Sequence, residues 1–144
     1  MSANQLGTLS FSPIRSDIMP TDKNTIGVTQ ENREFLELVI ERGLFNDQMD
    51  AAKLGLALAI RQGISPGEAT GIDTKWNVGS FDKDGHLRNV VSAIFPNVST
   101  PYRLAEYLIN EGLIILRRHL VDNPSLDIEK LQGDMRNEGE GQAQ

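Results

Sequence analysis

Four stretches of this chain have residue types at spacings that could do chemistry. Asp82-Lys83-Asp84-Gly85 has the acid-x-acid-Gly pattern of the middle of a calcium loop, where carboxylate oxygens ligate a hard cation. The register fails: with Gly85 at the sixth loop position, Ser80 falls at the first and Val91 at the twelfth, where a bidentate Glu is needed. The run therefore reads as a turn or a helix start, with Asp82 or Asp84 as the cap. Trp76 and Phe81, flanked by Lys75 and Lys83, interleave aromatic and basic side chains as single-strand binders do; the alternative is that both rings plug one side of the central helix. Arg117-Arg118-His119 is a dense basic cluster, which either complements the negative end of a helix dipole or contacts phosphate. Glu34, Glu37 and Glu41 recur at helical spacing and line one face. Carboxylates facing water in this way read as a solvated face or as a docking surface for a basic partner, not as acid/base catalysts.

Other chemistry is excluded by what the chain lacks. With no cysteine there is no disulfide, thiolate zinc site or cysteine nucleophile, and His86 and His119 are the only histidines. No Ser/His/Asp arrangement, phosphate-cradling Gly loop or nucleophile motif is present. The expectation is a protein that is not an enzyme, with no catalytic residue, no metal site and no cofactor.

The element around which these residues must be arranged is Asn46 to Gly63, a helix in which Lys53 alone is charged between Ala51 and Ile60. Leu54 and Leu58 point one way and Met49, Leu56 and Ile60 nearly the other, so two partners are needed to cover it. Ala51, Gly55 and Ala59 form a third, small-residue face suited to close approach of another backbone. That approach lies either within the monomer or across a homo-oligomer interface. Asn46 is the expected N-cap and Gly63 the left-handed stop.

Ahead of it, Thr25 to Val28 reads as a short strand, and Thr29 caps a helix to about Arg42 that buries Phe35, Leu36 and Val39. Residues Ile64 to Thr74 read as a loop, and Lys75 to Phe81 as an extended connector. A helix ending at Phe95 should bury Leu87, Val90, Val91, Ile94 and Phe95. Thr100-Pro101 should start a long last helix to Leu120, with Leu104, Leu108, Ile109, Ile115 and Leu116 in its apolar arc and Arg103, Glu106, Asn110 and Arg117 across from it. His119 points toward the apolar edge and reads as a packed histidine. The fold class is mainly α, about four helices with a short N-terminal strand.

A chain of 144 residues with 39% hydrophobic content supports one modest core. The expected organisation is a flexible arm over 1–24, a single helical domain over 25–121 and an acidic flexible tail over 122–144. No apolar run is long enough to span a bilayer and no leader pattern opens the chain, so a cytoplasmic protein without a membrane partner is expected. The net charge is −6, and the tail carries six acids against two bases, which leaves only −2 on the rest. That is not the charge of a generic nucleic-acid binder, although a local basic face is compatible with it.

Short strand, helix, turn and longer apolar helix is an order that resembles the ribbon-helix-helix unit, in which paired strands from two chains enter the major groove. The stretch from Ile26 to Leu120 also resembles DndE, the accessory protein of bacterial DNA phosphorothioation systems. Val28-Thr29-Gln30-Glu31-Asn32, the turn before Ala52-Lys53-Leu54-Gly55-Leu56-Ala57-Leu58, and Leu116-Arg117-Arg118-His119-Leu120 carry that resemblance. It implies a non-enzymatic, homo-oligomeric accessory protein of a DNA-modification or defence system, contacting double-stranded DNA. Lys53, Lys75, Lys83, Arg117 and Arg118, which have no obvious neutralising neighbour, would be the DNA-binding residues. The alternative class is a helical adapter that docks a protein partner through its acidic face without touching DNA.

Overall fold

The computed structural model describes residues 21–131, except Pro124 and Ile128. Most of the expected N-terminal arm and the distal part of the acidic tail lie outside the described residues. The fold is mainly helical with one small antiparallel sheet. In chain order it comprises β1 (Thr25–Thr29), α1 (Gln30–Glu41), α2 (Gln48–Gln62), β2 (Ile72–Asn77), the single turn α3 (Val78–Phe81), α4 (His86–Ile94) and α5 (Pro101–Asp122).

Local signals set most of these limits. Thr29 caps α1 as expected, its hydroxyl accepting from the Asn32 N–H at 3.2 Å. Helix α2 is capped by Asp47 rather than Asn46, because the Asp47 carboxylate accepts from the Met49 N–H at 2.8 Å. Gly63 closes α2 in the left-handed region with φ +79°.

The two later helices are capped from a distance. Thr100 makes no side-chain cap bond; instead Asp22 accepts from the Tyr102 and Arg103 N–H groups at 2.9 and 3.0 Å. Asp82 does the same for α4, accepting from Leu87 and Arg88 at 2.9 and 3.0 Å. A carboxylate in line with the positive end of a helix satisfies both orphan donors and the dipole. Anchoring through Asp22 means that residues 22–24 do not form part of a free arm. At the other end Leu131 is 2% exposed and Leu126 packs against the core, so these two tail residues belong with the domain.

The core forms where α2 crosses α5. Gly55 and Gly112 meet there backbone to backbone: a Cβ on Gly112 would overlap the Gly55 carbonyl, and one on Gly55 would lie 3.1 Å from the Leu113 amide. Ala51 and Ala59, on the same face as Gly55, are both fully buried. The small-residue face is thus covered by α5 of the same chain, and Ala51, Gly55 and Ala59 are not available as an interface between chains. Leu104, Leu108, Ile109 and Leu116 are buried as the apolar arc requires.

Strand β1 pairs with β2 of its own chain, Thr25 opposite Asn77 and Thr29 opposite Ile72, with a bulge between Ile26 and Gly27. The expected loop therefore gives way to a strand at Ile72. Ile26 and Val28 are fully buried. A residue larger than Gly27 would press its Cβ to 2.7 Å from the Asp73 carbonyl.

The crossing fixes the sign of a mutational test. Helix propensity favours Gly→Ala by about 1 kcal/mol, whereas forced overpacking costs about 1 to 3 kcal/mol. Gly112→Ala should therefore be destabilised in denaturant unfolding, and Gly79→Ala, where a Cβ meets nothing within 4 Å, should not.

Candidate functional site

Helix α5 carries a buried polar ladder on the face that its sequence pattern assigns to solvent. Glu106 is 1% and Asn110 4% exposed, because β1 lies over that face. Glu106 accepts from the Gly27 N–H at 2.9 Å and from the Lys23 ammonium. Asn110 donates to the Gly27 carbonyl at 3.1 Å and accepts from the Thr29 N–H at 3.0 Å. These side chains bond the edge of β1 that β2 leaves unpaired, in place of a third strand. Asn32 extends the ladder by donating to the Asn110 side chain at 2.8 Å, and Arg117 donates to the Asn32 oxygen at 3.0 Å. Every hydrogen-bonding atom of the Asn110 side chain is used, so this rung of the ladder is structural.

Two groups with displaced pKa values, Asp82 and Tyr102, are tied into structure in the same way. Burial works against ionisation of Asp82, but the Leu87 and Arg88 N–H groups and the Tyr102 hydroxyl outweigh it and hold the carboxyl below its usual range. Burial and the 2.8 Å hydrogen bond to Asp82 push Tyr102 from 10.0 up to about 12. Asp84 lies 3.7 Å from His86 Nδ1. The acid-x-acid run is thus a cap and a surface pair, and no group of three or more His, Cys, Asp or Glu that could hold a metal lies among the described residues. His119 is 5% exposed, with the Asp127 N–H donating to its Nε2 at 3.3 Å, the packed histidine expected.

The five expected DNA-contacting bases are not gathered on one surface. Lys53 and Lys83 line one depression with Phe81, Leu87 and Val90. Lys53 lies 5.3 Å from the Phe81 ring centroid, and Phe81 is 1% exposed. Trp76 packs on Phe81 with ring centroids 5.0 Å apart, so Phe81 plugs the core beside α2 as the second reading of that pair expects. Lys75, at the bulge, lies 5.5 Å from the Trp76 ring centroid; partial burial and the nearby Arg33 charge lower its pKa. Arg117, already bonded to Asn32, lines a different groove, and Arg118 is exposed.

The surface that sequence periodicity misassigns is on α4. Of the five apolar residues expected to be buried at this helix, only Val91 is: Val90 is 50% and Ile94 46% exposed. The Asp82 cap turns Val91 toward the core and leaves the flank with Val90 and Ile94 facing outward. Beside it, Ala57 and Ile60 of α2 and Leu87 continue the apolar surface, with Lys53, Lys83 and the Asp84–His86 pair at its rim. No family model, curated protein or solved structure matches this chain.

The Asp82–Tyr102 pair gives a pH dependence of determined sign. The Asp82 carboxyl, depressed in the folded chain, stabilises above its unfolded pKa, and that contribution is lost as pH falls through the folded value. The Tyr102 hydroxyl, raised, stabilises below pH 10.0, and that contribution is lost as pH rises toward about 12. In Tyr107→Phe, phenolate absorbance should titrate near 12; adding Asp82→Asn should move the midpoint down without reaching 10.0, since burial, the larger cause, remains.

Proposed function

We propose that this protein is a non-enzymatic docking module whose α2/α4 face receives an acidic amphipathic segment of a partner protein. The observation that carries this reading is the pair Val90 and Ile94, one helical turn apart and about half exposed on a helix whose sequence is patterned to be covered. Fully burying such a side chain contributes about 1.5 to 3 kcal/mol, so covering the exposed half of each gives on the order of 1 kcal/mol apiece. Lys53 and Lys83, both exposed in the depression, complement carboxylates flanking an apolar stripe on the partner, while Asp84, which lines the same depression, is paired with His86. The absence of a reaction in this reading rests on two of the three displaced titratable groups, Asp82 and Tyr102, which are occupied in holding α4 to α5, while the third, Lys75, lies over the Trp76 ring.

A second reading, the DndE-like DNA-associated accessory protein, is supported by Lys53 and Lys83 sharing one exposed depression. It is weakened by the separation of Lys75, Arg117 and Arg118 from that place. It is weakened further by β1, whose two edges are occupied by β2 and by Glu106 and Asn110, leaving no free edge for a ribbon paired between chains.

Fluorescence anisotropy with a labelled Leu/Glu amphipathic helical peptide and with a labelled DNA duplex separates the two readings. The docking reading expects peptide binding that weakens about tenfold or more in Val90→Asp/Ile94→Asp, a loss of at least about 1.4 kcal/mol, and no binding of the duplex. Duplex binding with a steep salt slope that flattens by up to about 2 units in Lys53→Ala/Lys83→Ala, without peptide binding, would replace it with the DNA reading.

A further inference from the structure

Among the described residues, a second surface is left uncovered on the other side of α1, where a groove of about 960 Å³ runs between that helix and the C-terminal end of α5. Its apolar floor includes Phe35 and Val39, and its lips carry Leu38 and Val121, which are 37% and 79% exposed. The charges along it follow an order. On the α1 wall the acids Glu31 and Glu34 come before Leu38 and the base Arg42 comes after it. On the α5 wall the base Arg117 comes before Val121 and the acid Asp122 follows it. Arg117 reaches Asn32 at the start of α1, so the basic end of one wall lies beside the acidic end of the other.

A surface with acid and base at opposite ends of each wall matches itself when turned about a twofold axis. An isologous interface demands this self-complementarity, and a groove of one sign would not provide it. We infer that this groove is the contact between two copies of the chain. The twofold axis crosses the groove, so that α1 runs antiparallel to its mate. Antiparallel helices oppose their dipoles favourably, and this arrangement sets Glu34 of each copy against Arg42 of the other and Val121 near the apolar centre. The contact does not involve Ala51, Gly55 or Ala59, nor the α2/α4 face, so a dimer of this kind presents two docking faces.

Sedimentation equilibrium of the full chain tests the inference. The wild type should show a concentration-dependent doubling of mass below about 200 µM. Val121→Asp, at a position too exposed to disturb the fold, should be monomeric with an unchanged circular dichroism melt. Glu34→Arg and Arg42→Glu, both at exposed positions, should each raise the dimer Kd about tenfold, because each places like charges in contact twice per dimer. Mixed in equal amounts, these two variants should associate more tightly than either alone, since the mixed pair restores opposite charges at both contacts. A wild type that stays monomeric over that range, a Val121→Asp variant that dimerises as the wild type does, or a mixture no tighter than its components would overturn the inference.

Discussion

The contact on which the rest of the structure depends is the backbone-to-backbone crossing of α2 and α5 at Gly55 and Gly112. With no side chain between them the two helix axes come close enough for Leu56, Leu108, Ile109 and Leu113 to fill the flanks of the crossing, all of them 3% exposed or less. Close packing of this kind is intolerant of added volume, and it fixes the two longest helices as one rigid unit on which the sheet, α1 and α4 are hung. It also assigns the small-residue face to the interior, which moves any contact between chains to other surfaces.

The second constraint is the polar ladder on the opposite side of α5. A two-stranded sheet leaves backbone donors and acceptors unpaired on its outer edges, and burying one of those edges without partners would cost roughly 1 to 3 kcal/mol per group. Glu106 and Asn110 provide the partners, and Lys23 balances the Glu106 charge, so the buried carboxylate has both a counter-ion and a backbone donor. The consequence for function is negative and specific: the strand that would be shared between chains in a ribbon-helix-helix protein is sealed within this one.

With α2, α5 and β1 committed to the interior, the surfaces left to engage other molecules are those whose apolar side chains the fold does not cover. Val90 and Ile94 on α4 and Leu38 and Val121 at the α1/α5 groove are the exposed large hydrophobic side chains among the described residues. They fall on two separate faces with different charge settings, Lys53 and Lys83 together with Asp84 beside the first and ordered acids and bases beside the second.

Much of the fold was legible in the chain because the signals that carry it are local. Apolar periodicity marked α1, α2, α4 and α5, Thr29 and Gly63 marked helix ends, and Thr25 to Val28 read as a short strand, since each depends only on neighbours within a turn or two. The candidate surfaces were much less legible. The spacing of apolar residues says which side of α4 is apolar but not whether anything covers it, and the pattern on α5 separates Glu106 and Asn110 from the apolar arc without saying that a strand lies on them. The distant cap Asp22, the pairing of Gly55 with Gly112 and the dispersal of the five basic residues are likewise relations between separate segments, 80 residues apart for Asp22 and Tyr102. The sequence by itself determined the helices, their apolar faces and the absence of cysteine chemistry. Only the tertiary structure decided which of those faces were buried, because burial is set by what the chain brings back against a residue and not by the residue's own periodicity.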